Sequence, residues 1–232
     1  MARTLRQRFG LRQQPRTPFY VSVAGNIGVG KSMLTRLLGQ SFGWPMYFEP
    51  VINNPYLDDY YADMARWSFH LQVYFLSQRF AVQKQIQDRG KSAVQDRTIY
   101  EDVEIFAPTL HRRGAMDRRD YDNYREIFTN MTAFLQPPDL ILYLWCRPET
   151  AHGRIRQRGR RCEQDIPLDF LEDLHAAYED WIERAPALCP VEVIDTEQVN
   201  LRDDDEAQLA TLEQVAIYHR EKHARLAGEE PA

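Results

Sequence analysis

The stretch FYVSVAGNIGVGKS, from Phe19 to Ser32, joins an apolar run to a glycine-rich loop. Its last eight residues match the pattern G-x-x-x-x-G-K-[ST], and a helical pattern follows in residues 32–42. A strand, such a loop and a helix, in that order, form a phosphate-binding loop, in which backbone N–H groups and the helix N-terminus bind phosphate oxygens. The stretch therefore predicts an α/β fold with a nucleotide site at the end of its first strand.

The predicted phosphate site consists of eight residues: Gly25, Asn26, Ile27, Gly28, Val29, Gly30, Lys31 and Ser32. The glycines allow the backbone to turn its N–H groups inward. Lys31 is expected to reach the β- and γ-phosphates of ATP, and Ser32 to bind Mg²⁺. The alternative is a chance match in an ordinary strand–helix turn, which the flanking strand and helix disfavour.

Five short apolar, β-branched or aromatic runs alternate with helix-length stretches along the chain. The runs are 19–25, 46–50, 92–97, 140–146 and 191–196. This alternation predicts a five-stranded parallel sheet with helices on both faces. Residues 19–220 are predicted to form a single domain, between a basic flexible tail (1–18) and a polar tail (221–232). The first tail has five arginines and no acid, but the lack of serine disfavours a mitochondrial presequence.

The bulk composition limits the partners of the chain. It has 232 residues, 44% of them hydrophobic, and a net charge of −5. Duplex-binding proteins usually carry a basic surface, so small-molecule ligands are favoured over nucleic acid. The longest apolar strand-like run, Leu140–Cys146, is too short to span a bilayer, so no membrane association is expected. Three cysteines without a C-x-x-C pair favour a reducing, cytoplasmic compartment.

Charged residues stand near the carboxyl ends of two predicted strands, where parallel sheets bind their ligands. Glu49 lies at the end of the second strand, and Asp96 and Arg97 end the third. Glu49 can accept the proton of a hydroxyl that is being phosphorylated, and Asp96 can hold Mg²⁺ or its waters. Arg97 can neutralise charge or orient Glu49. The alternatives are a solvated loop acid at Glu49 and a structural ion pair between Asp96 and Arg97.

The helical pattern of residues 64–89 is aromatic and carries two polar side chains on one face. Gln72 and Arg79 are seven residues apart and project from nearly the same side. The amide of Gln72 offers a donor and an acceptor side by side, which suits the edge of a nucleobase. A buried Arg79 would need a partner, and Asp102 is the candidate. The alternative is that this face lies in water.

The segment RIRQRGRR, from Arg154 to Arg161, holds five arginines. Arg154 and Arg158 are four residues apart and share a helix face, where they would repel each other without an anion. Guanidinium groups suit phosphate oxygens, so Arg154, Arg158 and Arg160 are predicted to bind the phosphates of a nucleotide. The alternative is a solvated basic helix face.

The phosphate loop is followed along the chain by FEPV, WSFHLQ, DRTIYED and RIRQRGRRCEQDIPL. These motifs, within Phe19 to Thr196, resemble the deoxynucleoside kinase family, and within it the bacterial deoxyadenosine/deoxyguanosine kinase branch. The resemblance implies a P-loop kinase fold with an arginine-rich lid at about residues 154–166. It also implies transfer of the γ-phosphoryl group of ATP, with Mg²⁺, to the 5′-hydroxyl of a deoxynucleoside. Members of the family are usually homodimers, with helices at the interface.

The resemblance assigns roles by position. Glu49 is expected to meet the 5′-hydroxyl as a base with Arg97 beside it, while Asp96 serves the Mg²⁺ shell or shares the base role. Tyr61 and Glu163 are expected to hold the 3′-hydroxyl of the sugar. The family's lid often carries two adjacent acids, whereas this sequence has Cys162 at the first of these positions and only Glu163 at the second.

Gln72, Arg79 and Asp102 are expected, by the same resemblance, to contact the base. The thymidine-preferring branch lacks this arginine–aspartate pair. Its presence favours a base with an amino group, with deoxyadenosine first and deoxyguanosine or deoxycytidine as alternatives. Two other functions stay open for this fold. One is a non-catalytic nucleotide-binding subunit, although Lys31 and Glu49 are intact. The other is a nucleoside-monophosphate kinase, although the acceptor residues are acidic for a phosphate.

Overall fold

The computed structural model describes residues 17–49, 54–160 and 163–228, and its centre is a parallel sheet. The strands are β1 (Tyr20–Gly25), β2 (Met46–Tyr47), β3 (Ala93–Asp96), β4 (Leu140–Trp145) and β5 (Val191–Asp195). Their order across the sheet is β2-β3-β1-β4-β5, and every neighbouring pair is parallel. The five predicted strands are confirmed, and the strand that precedes the phosphate loop lies in the middle.

Helices follow the strands as a parallel sheet requires. They are α1 (Lys31–Phe42), α2 (Leu57–Ala62), α3 (Met64–Arg89), α4 (Ile99–Glu101), α5 (Ala107–Arg112), α6 (Arg118–Thr132), α7 (Pro148–Arg158), α8 (Leu168–Arg184) and α9 (Asp205–Ala227). A π-helical turn at Asp102–Phe106 joins α4 to α5, and a 3₁₀ turn at Ala185–Ala187 follows α8. Within the described ranges, no helix has the length and apolar character needed to cross a membrane.

Local sequence signals set the ends of two helices that position the site. The carboxylate of Asp63 accepts a hydrogen bond from the backbone N–H of Arg66 at 3.1 Å and caps the start of α3. Gly90 ends α3 in the left-handed region, with φ 54°. Pro148 occupies the first turn of α7, and Gly159 follows its end with φ 73°. Both signals in α7 agree with the helix predicted there.

Helices cover both faces of the sheet, as the residues of β4 show. Ile141 and Tyr143 belong to a core shared with α3, α6 and α8. Leu140, Leu142 and Leu144 belong to a second core shared with α1 and α9. A strand buried on both faces needs a nearly continuous apolar run, which explains the sequence LILYLW. The prediction of helices on both faces is confirmed.

The last helix corrects one predicted domain boundary. α9 continues to Ala227, so the boundary expected at residue 220 falls inside a helix. The ammonium of Lys222 donates to the carbonyl oxygen of Pro18 at 2.7 Å and pairs with Asp139 at 2.7 Å, which ties this part of α9 to the sheet. Residues 1–16 of the predicted basic tail lie outside the described residues, as do residues 229–232.

Candidate active site

The phosphate loop joins β1 to α1, and its glycines adopt backbone angles that other residues rarely adopt. The angle φ is 139° at Gly25, 90° at Gly28 and 108° at Gly30. A Cβ atom at Gly25 would lie 2.6 Å from the carbonyl oxygen of Leu144, and one at Gly28 would lie 2.5 Å from that of Ala151. The loop therefore packs directly against β4 and α7, and these positions require glycine for both angle and space.

Lys31 begins α1 and is buried beneath the loop. Its Nζ donates to the carbonyl oxygens of Gly25 at 2.9 Å and Asn26 at 2.8 Å. Burial, with repulsion from Arg97, lowers the pKa of Lys31 to about 8. The ammonium is thus charged at neutral pH and close to the position where phosphates of a nucleotide would enter the loop.

Ser32 and Asp96 meet beside the phosphate loop. The hydroxyl of Ser32 donates to Oδ2 of Asp96 at 2.5 Å, and the buried Oδ1 of Asp96 has no hydrogen-bond partner. Burial raises the pKa of the Asp96 carboxyl. Mg²⁺ in nucleotide sites is bound by one or two protein oxygens, by waters and by phosphates. A hydroxyl and a carboxylate with a free oxygen therefore fit the predicted ion.

Glu49 follows β2 and is held by two arginines. Its Oε1 accepts from Nη1 of Arg97 at 2.9 Å and from Nη2 of Arg79 at 2.5 Å. Burial raises the pKa of Glu49, but Arg97 and Arg79 outweigh burial and bring the pKa to about 2. The carboxylate is therefore ionised at neutral pH, and it is not the solvated loop acid that the sequence allowed.

The residues predicted to contact a base form a second buried group. Nη1 of Arg79 donates to Oδ1 of Asp102, and the guanidinium lies over the ring of Phe75 at 4.6 Å. Gln72 is 3% exposed and Arg79 is 2% exposed, so this face of α3 is not in water. Oε1 of Gln72, Nε of Arg79 and Oδ2 of Asp102 are buried without a hydrogen-bond partner. Buried polar atoms of this kind are usually satisfied by a ligand or water.

A cavity of about 1010 Å³ is lined both by the residues around the phosphate loop and by the residues predicted to contact the base. Its walls include every residue predicted to contact the nucleoside: Glu49, Tyr61, Gln72, Arg79, Arg97, Asp102 and Glu163. Residues 27–32 of the phosphate loop also line it, whereas Gly25 and Asn26 support the loop from behind. The amide of Asn26 donates to the carbonyl oxygen of Leu171 at 2.9 Å and anchors the loop to α8. The volume is large enough for two ligands of nucleotide and nucleoside size.

Sequence reasoning missed one wall of this cavity. Residues 196–203, which follow β5, and Phe170 of α8 line it. The segment after β5 stands at the same carboxyl edge of the sheet as Glu49, so the rule that located Glu49 could have located it. It carries no recognisable motif, which is why the sequence alone did not single it out.

The predicted lid arginines have partners within the chain. Nη1 of Arg154 donates to Oγ1 of Thr196 at 2.8 Å, and Nη2 donates to the carbonyl oxygen of Thr196 at 2.9 Å. Arg158 and Arg160 both pair with Glu163, Arg160 at 3.2 Å. All three arginines line the cavity. Their phosphate contacts, and the sugar contact of Glu163, stay predictions; Cys162 lies outside the described residues.

A family model described as deoxynucleoside kinase matches residues 21–218. The chain belongs to the deoxynucleoside kinase family. Among its curated relatives, this deoxynucleoside kinase is 41% identical over 198 residues to a deoxyadenosine/deoxycytidine kinase of Bacillus subtilis, covering 84% of this chain and 91% of that protein. It is also 41% identical over 186 residues to a deoxyadenosine kinase of Dictyostelium discoideum, covering 78% of this chain and 76% of that protein.

Solved structures agree with the assignment. The deoxynucleoside kinase superimposes on a deoxyadenosine kinase from M. mycoides, solved with the products dCMP and a flexible dCDP, with a TM-score of 0.75 and 29% identity. The match covers 85% of this chain and 98% of that one. A second structure of the M. mycoides enzyme, with bound dATP, gives a TM-score of 0.74 at 28% identity and the same coverage. The predicted family and the predicted P-loop kinase fold are confirmed.

Proposed function

We propose that this kinase transfers the γ-phosphoryl group of ATP to the 5′-hydroxyl of a deoxynucleoside, with deoxyadenosine as the favoured acceptor. The observation that carries the proposal is that the walls of one cavity hold the phosphate loop, Glu49 and the group of Gln72, Arg79 and Asp102. Donor and acceptor can thus meet in one partly enclosed space, and positioning of this kind supplies much of the catalysis of phosphoryl transfer.

The residues around the loop suggest how the chain assists the transfer. Glu49 is ionised and accepts the proton of the 5′-hydroxyl as its oxygen bonds to the γ-phosphorus of ATP, while the bond from that phosphorus to the β–γ bridging oxygen breaks and ADP leaves. Arg97 and Lys31 add positive charge where negative charge develops on the transferred group. Ser32 and Asp96 are the residues that would hold Mg²⁺, which neutralises phosphate charge when bound.

The base group supports an acceptor with an exocyclic amino group. Oε1 of Gln72 and Oδ2 of Asp102 are unpaired acceptors. An amino group on adenine, guanine or cytosine can donate to such oxygens, whereas thymine lacks one. Two relatives at 41% identity are named for deoxyadenosine, one of them also for deoxycytidine. Deoxyadenosine is therefore proposed first, ahead of deoxycytidine and deoxyguanosine.

A coupled assay of ATP consumption with the four natural deoxynucleosides tests the proposal. Deoxyadenosine is expected to give the highest kcat/KM and thymidine the lowest. Deoxyadenosine 5′-monophosphate serves as the matched acceptor for a nucleoside-monophosphate kinase and is expected to give no turnover. Absence of turnover with all four nucleosides, in folded protein with Mg²⁺, would contradict the proposed activity.

The pH dependence of kcat/KM is expected to differ between the two substrates. Burial raises the pKa of Asp102 to about 6, so kcat/KM for deoxyadenosine is expected to fall below that pH as Asp102 gains a proton. The pKa of Lys31 is about 8, so kcat/KM for ATP is expected to fall above that pH as the ammonium loses its charge. Initial rates between pH 5 and 9 measure both limbs.

Asp102→Asn is the control for the fall of kcat/KM at low pH, which is the acid limb of the pH profile. Asparagine keeps the shape of the side chain but does not titrate, so the fall of kcat/KM below about pH 6 is expected to disappear in this variant. An unchanged acid limb in Asp102→Asn would assign that pKa to another group. The basic limb for ATP is expected to be the same in both proteins.

The Asp96→Asn variant tests the Mg²⁺ assignment. Loss of the carboxylate beside Ser32 is expected to raise the Mg²⁺ concentration that gives half-maximal rate by about 10–100-fold, the scale typical for residues that support a metal site. Titration of activity with MgCl₂ at fixed ATP measures this. Asp88→Asn, at a half-exposed carboxylate of α3, is the control and is expected to behave as wild type. An unshifted Mg²⁺ requirement in Asp96→Asn would remove Asp96 from the metal shell.

The oligomeric state and the compartment are further parts of the proposal. The family resemblance supports a homodimer, which light scattering of the purified chain tests directly. Cys146 and Cys189 are both free and buried, which supports a reducing, cytoplasmic compartment. The ligands proposed are ATP and a deoxynucleoside, with no role for nucleic acid.

A further inference from the structure

Glu101 is a fully buried carboxylate directly behind the proposed catalytic residues, with 0% exposure. Its Oε1 accepts from the backbone N–H of Gly25 at 3.3 Å and from the hydroxyl of Tyr178 at 2.7 Å. Its Oε2 accepts from the backbone N–H of Thr98 at 3.0 Å. A buried charge is costly unless it is paired and hydrogen-bonded. These hydrogen bonds fix the position of both carboxylate oxygens of Glu101.

Glu101 holds both the backbone next to Arg97 and the side chain of Arg97. Arg97 has φ 65°, in the left-handed region that a residue with a side chain rarely adopts. The peptide that follows it is held through the bond from the N–H of Thr98 to Glu101. Nε of Arg97 lies 3.5 Å from Oε1 of Glu101, a charge contact rather than a hydrogen bond.

The rest of the Arg97 guanidinium is fixed by other groups. Its Nη1 donates to Glu49 at 2.9 Å, and Nη2 donates to the carbonyl oxygen of Gly25 at 3.1 Å. The guanidinium also lies over the ring of Phe106 at 4.4 Å. Glu101 therefore contacts the backbone N–H of Gly25 and the side chain of Arg97. Arg97 in turn donates to the carbonyl oxygen of Gly25 and to Glu49.

Tyr178 connects a further helix to Glu101. It lies in α8, the helix that follows the lid segment, and is fully buried. The same helix anchors the phosphate loop through the bond from Asn26 to Leu171. The Tyr178 hydroxyl is a donor to Glu101, so it orients the carboxylate without adding charge.

We infer that Glu101 is a positioning residue for phosphoryl transfer, which fixes Arg97 against Glu49 and the phosphate loop while Tyr178 orients its carboxylate. Glu101 itself does not line the cavity in the described part of the chain, so its effect on the reaction passes through Arg97 and Gly25. The inference rests on the proposed function, because it assigns a role in that reaction.

Glu101→Gln is the first test, with Glu104→Gln as the matched control. Glutamine keeps the size of Glu101 but not its charge, and kcat is expected to fall by about 10–100-fold, by analogy with residues that orient the ligands of a metal site. The KM values for ATP and deoxyadenosine are expected to stay within about threefold, because no ligand contact is lost. Glu104 is three residues away and pairs at the surface with Arg184 at 3.0 Å, so Glu104→Gln is expected to keep the wild-type kcat.

Tyr178→Phe is a milder variant, since it removes one hydroxyl and leaves the charges and packing in place. Its kcat is expected to fall by about threefold to tenfold with unchanged KM values, and loss of the hydrogen bond to a buried carboxylate is expected to lower the melting temperature by a few degrees. This variant keeps the inference testable if Glu101→Gln does not fold. A wild-type kcat in either folded variant would overturn the inference.

A double-mutant cycle with Arg97→Lys separates positioning from a general structural role. If Glu101 acts through Arg97, Glu101→Gln is expected to change kcat by less than about twofold in the Arg97→Lys background. Multiplying losses would show that Glu101 acts independently of Arg97 and overturn the inference. Wild-type turnover is measured first: an inactive wild type would overturn the proposed function and this inference with it, whereas an active wild type isolates the role of Glu101.

Discussion

Replacement of Glu49 by glutamine is expected to lower kcat by about 10²–10⁴-fold, the range for loss of a general base. Glu49 is the ionised carboxylate on the cavity wall that accepts from both Arg97 and Arg79. Glutamine has nearly the same shape but cannot take the proton of the 5′-hydroxyl. Since the wall keeps its shape, KM for deoxyadenosine is expected to change far less than kcat. Steady-state rates with ATP and deoxyadenosine measure both constants.

The control for this variant is Glu126→Gln, at an exposed carboxylate of α6. It is expected to match wild type in kcat and in melting temperature. Glutamine still offers an oxygen to Arg97 and Arg79 but does not balance their charge, so the melting temperature of Glu49→Gln is measured to exclude unfolding. If the folded variant keeps a kcat close to wild type, Glu49 is not the proton acceptor, and Asp96 becomes the candidate.

The second large effect is expected for Lys31→Met. The Lys31 ammonium is buried beneath the phosphate loop and is bonded only to the carbonyl oxygens of Gly25 and Asn26 among the hydrogen bonds of the described residues. Its charge is expected to act on the transferred phosphoryl group, where charge develops in the transition state. Loss of one such electrostatic donor lowers kcat by about 10²–10³-fold. The Kd for ATP, measured by calorimetry, is expected to rise as well.

Lys84→Met is the matched control for Lys31→Met. Lys84 lies on α3, is 43% exposed and pairs with Asp88 four residues later. Such exposed pairs contribute little to stability, so this variant is expected to keep both kcat and the Kd for ATP. An unchanged kcat in folded Lys31→Met would contradict a role for Lys31 in the transition state.

The sheet and much of the site could be predicted because their signals are local. The apolar runs marked the strands, and the rule for strand ends pointed to Glu49, Asp96 and Arg97. The spacing of Gln72 and Arg79 indicated a shared helix face, which the structure shows to be buried. Each of these inferences needed only neighbouring residues and a regular backbone.

Other features depend on contacts between distant segments. Glu101 lies within DRTIYED, but nothing in that stretch shows that its carboxylate meets Gly25 and Tyr178. The bonds of Arg154 to Thr196 join α7 to the end of β5 and have no sequence signal. These partners are 42 or more residues apart, so only the folded chain reveals them.

The domain boundary predicted at residue 220 is too early, and the reason is different. Residues 221–227 are mostly polar and resemble a tail, yet they continue α9. Arg225 and Glu221 pair across one helical turn at 3.5 Å, and Gly228 ends the helix with φ 73°. Lys222 also reaches Asp139 and Pro18. The polar composition of these residues does not distinguish a helix that is held by such contacts from a flexible chain terminus.

The strand order β2-β3-β1-β4-β5 has a consequence for how the chain folds during its synthesis. The phosphate loop is made early, but β1 pairs with β3, where Val23 lies opposite Asp96, and with β4, where Gly25 lies opposite Leu144. Pairing over such distances in sequence is slow to form, because long loops must close first. The nascent loop therefore lacks the walls that shape it until the ribosome has passed β4. Residues 196–203 also line the cavity, so a nucleotide can stabilise the complete site only after most of the chain has been made.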